Sequence, residues 1–347
     1  NARSVLAVYR ISSVSQDDGE LAQIWGNYDE AVQVSLDPRS GANEQGWSFD
    51  GNGDSRARYG LFGNPFTGDY YDNDNSVQWS YEQDQMVTVE FESTRNITRQ
   101  IIGALVPSFP VGDHHFGGDL AELIVYSTDL NAAQRVLVEN YLAAKYSLDI
   151  SGAGIDYYAY EGTHGSDLAG IGRKDADNLH LAGQSAGMLK ISDPSGLGDG
   201  EYLLFGHDNA PAGTWSNAES PADSLHRIPR EWRLDQTGDP GDVTITLDTS
   251  SLSPVADGHE GYVVLLDSDG DFSAGATLIP LARSGGSYRA DLIDIPDGSY
   301  LTIATTGPTV QFEIAASAFG ESAGTVPVVI TLSDVLTSDI DVDFIIN

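Results

Sequence analysis

The 347 residues carry 52 acids against 17 bases, a formal net charge of −35, and no cysteine. That balance excludes a nucleic-acid or anionic-membrane surface, which needs a basic stripe. The missing thiols exclude disulfide scaffolds, thiolate zinc sites and cysteine nucleophiles.

With 40% hydrophobic and 20% charged residues the chain is globular, and its length suits about two to three domains. Carboxylates in such excess need water or a hard cation, and calcium is the expected cofactor. The chain opens directly on the strand-like run Val5–Tyr9 with no leader ahead of it, so it reads as a piece of something longer. No window has the length of a membrane-spanning helix, so no membrane insertion is expected.

Asp50-Gly-Asn52-Gly-Asp54 alternates carboxylates and an amide in a glycine turn, a candidate calcium loop. The run Asp69-Tyr70-Tyr71-Asp72-Asn73-Asp74-Asn75, with Trp79 behind it, sets aromatic rings beside acids and amides. Rings stack on apolar sugar faces while acids and amides bond hydroxyls, so Tyr70, Tyr71, Asp72, Asp74 and Trp79 form the candidate carbohydrate site; a loop beside a core Trp79 is the alternative. Glu90 and Glu92 share one strand face but lack a third acid, which argues against glycan hydrolysis there. Asp113-His114-His115 reads as a loop, because adjacent residues of an extended segment point to opposite faces. After the strand Leu120–Tyr126, Leu130–Tyr146 has helical spacing with Asp129 or Thr128 as its cap, and Val136, Leu137, Tyr141 and Leu142 as its buried face. On that spacing Glu139 faces water.

Beyond Gly152 the chain returns to strands, among them Glu201–Phe205, Val243–Leu247, Gly261–Leu266 and Ser299–Ala304. Trp232 alternates as a core residue. The sharpest metal candidate follows Leu266, where Asp267, Asp269 and Asp271 occupy alternate places of a tight turn. Position 6 of that loop is Phe272 rather than Gly, so it is not an EF-hand, and an Asp/Gly hairpin facing water is the other reading. His164, His180, His207, His226 and His259 show no ligand spacing.

Three stretches carry family resemblances. Phe116–Tyr126 with the helix Leu130–Tyr146 resembles the end of the concanavalin-A-like, laminin-G-type sandwich of large bacterial surface proteins. Gly170-Ile-Gly-Arg173, Leu203–Asp208, Arg230-Glu-Trp-Arg233 and Leu265–Phe272 resemble an uncharacterised β-domain that commonly follows it. Phe312-Glu-Ile, Glu321-Ser-Ala-Gly-Thr and Val328–Ser333 resemble the opening of a Calx-β repeat, whose calcium-binding glutamate falls on Glu321.

The fold class expected is therefore mainly β. A jelly-roll sandwich at 1–150, its first strands missing and one helix at its end, precedes a second β-sandwich-like domain at 151–308 and an incomplete Ig-like repeat at 309–347. The resemblance implies a non-catalytic region of a secreted bacterial adhesin at the cell surface. Calcium would support attachment to a carbohydrate or cell-surface ligand, with neighbouring domains of a longer chain as partners. A glycoside hydrolase or its accessory module, and a ligand-free spacer, are the alternatives.

Overall fold

The structure, a computed structural model, describes residues 2–12, 22–27, 33–37, 46–48, 57–62, 69–71, 82–95, 100–103, 116–222, 225–254, 259, 261–306, 310–312 and 330–332. These are mainly β, with two α-helices among them.

The first part holds nine strands: β1 (Ala2–Ile11), β2 (Ala22–Asn27), β3 (Gln33–Asp37), β4 (Gly46–Ser48), β5 (Ala57–Phe62), β6 (Asp69–Tyr71), β7 (Asp84–Arg95), β8 (Gln100–Ile102) and β9 (Gly118–Tyr126). They form two antiparallel sheets, ordered β6-β5-β7-β1-β9 and β4-β3-β2-β8. Strand β1 lies between β7 and β9. Val5 through Tyr9 are all buried, which is why this strand reads as an unbroken apolar run rather than an alternating one.

Helix α1 (Ala132–Tyr146) begins one residue after Asn131. Asn131, not Asp129 or Thr128, is the cap: its Oδ1 accepts from Gln134 N at 2.9 Å, and Gln134 Oε1 accepts from Asn131 N at 3.1 Å. This reciprocal box satisfies two of the helix's orphan donors. A third, Ala132 N, donates to Asn178 Oδ1 at 3.0 Å. Asp129 pairs with Arg3 instead. The helix ends on Ser147, whose φ of 55° turns the chain left-handed while its N–H bonds Ala143 O.

After α1 come the short helix α2 (Glu161–His164) and the strands β10 (Ser166–Asp175), β11 (Asn178–His180), β12 (Ala182–Ser185), β13 (Leu189–Ser192), β14 (Glu201–His207), β15 (Leu225–Arg227), β16 (Trp232–Thr237), β17 (Val243–Leu247), β18 (Gly261–Asp267), β19 (Thr277–Ser284), β20 (Ser287–Ile293) and β21 (Tyr300–Thr306). All twelve join one antiparallel sheet, ordered β11-β10-β14-β16-β21-β18-β19-β20-β17-β13-β12 with β15 beside β21. Ile171, Phe205, Trp232, Ile245, Val264 and Ile303, drawn from strands far apart in that order, meet in a single core. The sheet therefore folds over on itself, with β19 pairing β18 by one half and β20 by the other. A last ladder joins β22 (Val310–Phe312) to β23 (Ile330–Leu332).

Helix α1 is buried on two sides. Leu142 and Ala143 pack with Leu6, Val8 and Met86 of the first sheet. Ala133, Val136 and Ala144 pack with Leu168, Tyr202 and Leu204 of the large sheet. Val136, Leu137, Tyr141 and Leu142 are thus interior contacts as the spacing predicts, but the expectation that Glu139 faces water is overturned. Glu139 is 2% exposed and accepts from Thr88 Oγ1 at 2.9 Å. Coverage by α1 also makes β14 double-faced: Leu203 and Phe205 point into the main core, Tyr202 and Leu204 toward the helix.

Candidate functional site at the Gly206, Arg233 and Tyr300 row

The predicted sites fare differently. Asp267 ends β18, and its Oδ1 accepts from Asp269 N at 2.8 Å and Gly270 N at 2.9 Å. Asp269 Oδ1 accepts from Asp271 N at 2.9 Å, and Asp271 Oδ1 accepts from Ser273 N at 3.1 Å and Ser273 Oγ at 2.6 Å. The three acids form a chain of side-chain-to-backbone turns, each tied to its own loop. The Ser273 bonds hold the Asp271 carboxyl below its ordinary range. Asp269 and Asp271 face water, Asp267 is buried, and Phe272 is fully buried with the Arg227 guanidinium 5.1 Å from its ring. Among the described residues no three His, Asp or Glu side chains gather as a metal-holding group.

Tyr70 and Tyr71 lie in strand β6, opposite Tyr59 and Arg58, and not in a loop. Asp72, Asp74, Trp79, Asp50, Asn52, Asp54 and Glu321 fall outside the described residues, as do Asp113, His114 and His115. Glu90, on β7, meets Arg135 of α1 at 3.3 Å.

A cluster that spacing could not reveal lies on the large sheet. Gly206 of β14 pairs Arg233 of β16, and Arg233 pairs Tyr300 of β21. Residues directly opposite in a ladder share a face. The next row, His207, Trp232 and Leu301, lies on the other face and is buried in the core. There Trp232 Nε1 donates to Ser185 Oγ at 3.0 Å. Asn209 N donates to His207 Nδ1 at 2.9 Å, so the ring proton sits on Nε2, which faces Asp167 Oδ2 at 3.1 Å. Both nitrogens are engaged, and His207 is a structural group.

The first row is covered by the segment Tyr158–His164. Gly206 makes this possible: a Cβ there would lie 2.2 Å from the His164 carbonyl oxygen. Tyr158 fixes the cover, its hydroxyl 2.9 Å from His164 O and 3.2 Å from Arg233 O. Burial pushes that phenol far above its ordinary pKa. The Arg233 guanidinium is clamped between two rings, 3.7 Å from the Tyr300 centroid and 4.3 Å from that of Tyr160. His164 meets Tyr300 edge-on at 5.6 Å, and its Nδ1 is 2.9 Å from Thr163 Oγ1. Burial, then the positive charge of Arg233 and the neighbouring His207, lowers the His164 pKa against the opposing pull of Asp208. The site thus presents a fixed planar cation beside a neutral imidazole.

His164, His180, His207 and His259 all have folded pKa values lowered from 6.5, first by burial. The unfolded chain therefore takes up these protons first as pH falls. Stability is full above about pH 6.5 and declines below it, toward the lowered folded values. Melting temperature is expected to drop between about pH 7.5 and 5.5, and His207→Gln to flatten that slope. An unchanged slope in the variant removes His207 from this account.

The family model of a domain of unknown function (DUF8202) matches residues 134–299, from within α1 to the residue before β21. No curated protein and no solved structure matches the chain.

Proposed function

We infer that this chain is a non-catalytic region of a secreted bacterial surface protein that holds a binding face rigidly and attaches to a glycan or cell surface. The observation that carries the reading is α1, which contributes side chains to the cores on both its sides. A shared buried helix couples two β units without a flexible hinge, as a load-bearing extracellular module requires. The paired antiparallel sheets of residues 2–126 support a laminin-G-like sandwich for the first unit, and the β22–β23 ladder supports a following Calx-β-like repeat. The excess of acids is compatible with an extracellular medium rich in calcium. Within the described residues no helix is long and apolar enough to cross a membrane.

The test is attachment of the whole chain, coupled to beads, to a glycan array and to cell surfaces. Saturable binding without release of sugar supports the reading. Hydrolysis of any bound polysaccharide replaces it with the enzyme reading, and silence on both leaves a spacer. As a ligand of the folded state alone, calcium is expected to raise stability by about 2.7 kcal/mol at 100-fold excess over its Kd. Equal melting temperatures in calcium and in a chelator, at matched ionic strength, remove calcium from the proposal.

A further inference from the structure

We propose that Arg233, held between Tyr160 and Tyr300 and flanked by His164, is a binding site for the carboxylate of an acidic sugar unit. This rests on the glycan-attachment reading and names the chemistry of one of its ligands. Arg233 is a partly buried cation in a strongly acidic chain, yet its guanidinium makes no salt bridge and no hydrogen bond among the described residues; the Asp235 carboxylate feels its charge but bonds Ala159 N instead. The comparable arginines Arg135, Arg173 and Arg227 each meet an acid. The buried Nε of Arg233 has no acceptor, and the two rings offset its charge without satisfying its N–H groups.

The geometry favours a planar, two-oxygen acceptor. Clamping by the rings removes rotamer freedom before any ligand arrives, so less entropy is lost on binding. A guanidinium fork held in one plane matches a carboxylate edge. Gly298 lies beside the Arg233 fork. It has φ of +72°, and a Cβ there would lie 3.1 Å from the Tyr160 hydroxyl and 3.7 Å from Arg233 Nη2. His164, neutral at pH 7, has its Nε2 without a hydrogen bond among the described residues and suits a sugar hydroxyl. The net charge of −35 selects against polyphosphates and other polyanions. A ligand with one carboxylate on a neutral, hydroxyl-rich body fits all of these features.

The experiment titrates the whole chain with sodium glucuronate, glucose and acetate at matched ionic strength, read by calorimetry and by tyrosine fluorescence. Saturable glucuronate binding in the millimolar range, with glucose and acetate each weaker by at least about tenfold, is expected. Arg233→Lys is expected to weaken glucuronate by at least about tenfold, because the ammonium loses the fork. Gly298→Asn tolerates the left-handed backbone and is expected to block the site while the melting temperature stays near that of the wild type. Glucuronate binding no tighter than glucose or acetate overturns the proposal, and so does wild-type affinity in Gly298→Asn. Because the wild-type comparison needs no variant, a misfolded Arg233→Lys leaves the decision intact. Absent glucuronate binding with glycan attachment preserved defeats this site alone. Glucuronate binding without attachment of the whole chain defeats the adhesion reading alone.

Discussion

Alanine in place of Glu139 is expected to cost about 3–5 kcal/mol of stability, the range for removing one member of a buried charged network. Glu139 sits in the middle of α1 with 2% of its surface exposed. Its Oε1 accepts from the buried Thr88 hydroxyl at 2.9 Å and lies 3.9 Å from Arg135 Nε, while Arg135 Nη1 meets Glu90 Oε2 at 3.3 Å. Thr88 and Glu90 belong to the first sheet, so this network and the apolar contacts of Leu142 fasten the helix to that unit. Truncation leaves the Thr88 hydroxyl without this acceptor, takes a negative charge from beside Arg135, and opens a void at the junction. Glu139→Gln keeps an oxygen for Thr88 and loses only the charge, so it is expected to cost about half as much. The exposed Glu161 serves as the control, since its replacement by alanine is expected to stay within about 0.5 kcal/mol of wild type. Urea denaturation of the three variants checks the order. A Glu139→Ala chain as stable as the Glu161 control would show that the helix does not hold the first sheet in this way.

The error about Glu139 has a physical cause. Helical spacing reveals one apolar face, and a helix buried on one side has only one to reveal. Helix α1 is buried on two, and part of its interior surface is polar: Glu139 bonds Thr88, and Asn140 bonds Val136 O and Ile155 O. The segment's length and helical character were legible because no Gly or Pro interrupts it. Its cap was legible but missed: of Thr128, Asp129 and Asn131 only Asn131 has a Gln three residues on, the local capping-box spacing, and tertiary bonds to Asn178 and Leu179 reinforce it. Strand identity was legible for Val5–Tyr9, Glu201–Phe205 and Gly261–Leu266, where apolar and β-branched residues run together. The site around Arg233 was not, although His207 and Arg230–Arg233 lie in stretches that carry a family resemblance. Bringing Gly206, Arg233 and Tyr300 into one row requires the register of three strands that are 27 and 67 residues apart in sequence, and local sequence does not encode that register. The strand placement of Tyr70 and Tyr71 was missed for a different reason. A run of polar and aromatic residues satisfies the composition of a loop and of a short edge strand alike, and pairing with β5 decides between them.

Gly206→Ala is expected to destabilise the chain by about 2–3 kcal/mol or more and to displace the cover over Arg233. The added methyl would start 2.2 Å from the His164 carbonyl oxygen, 3.2 Å from Leu168 Cδ1 and 3.2 Å from the Tyr158 hydroxyl. The first contact decides the outcome, because a carbonyl oxygen is part of the backbone and cannot rotate away as a side chain can. That oxygen is also held by the Tyr158 hydroxyl at 2.9 Å, so moving it breaks the bond that fixes the segment Tyr158–His164. The sheet cannot yield instead, since Gly206 lies between Phe205 and His207, both buried on the opposite face of β14, and a shift of β14 would unpack Phe205 beneath it. The effect should therefore appear in two readouts. Thermal or urea unfolding reports the lost stability, and tyrosine fluorescence reports the altered surroundings of Tyr158, Tyr160 and Tyr300. Gly162→Ala is the matched control. It lies in α2 of the same segment, nothing stands within 4 Å of its added Cβ, and alanine favours a helix over glycine by about 1 kcal/mol. That variant is expected to be as stable as the wild type or more so. A Gly206→Ala chain that melts with the control, with unchanged fluorescence, would mean that the Tyr158–His164 segment does not lie against β14, and the clamped arginine would lose the wall supplied by Tyr160.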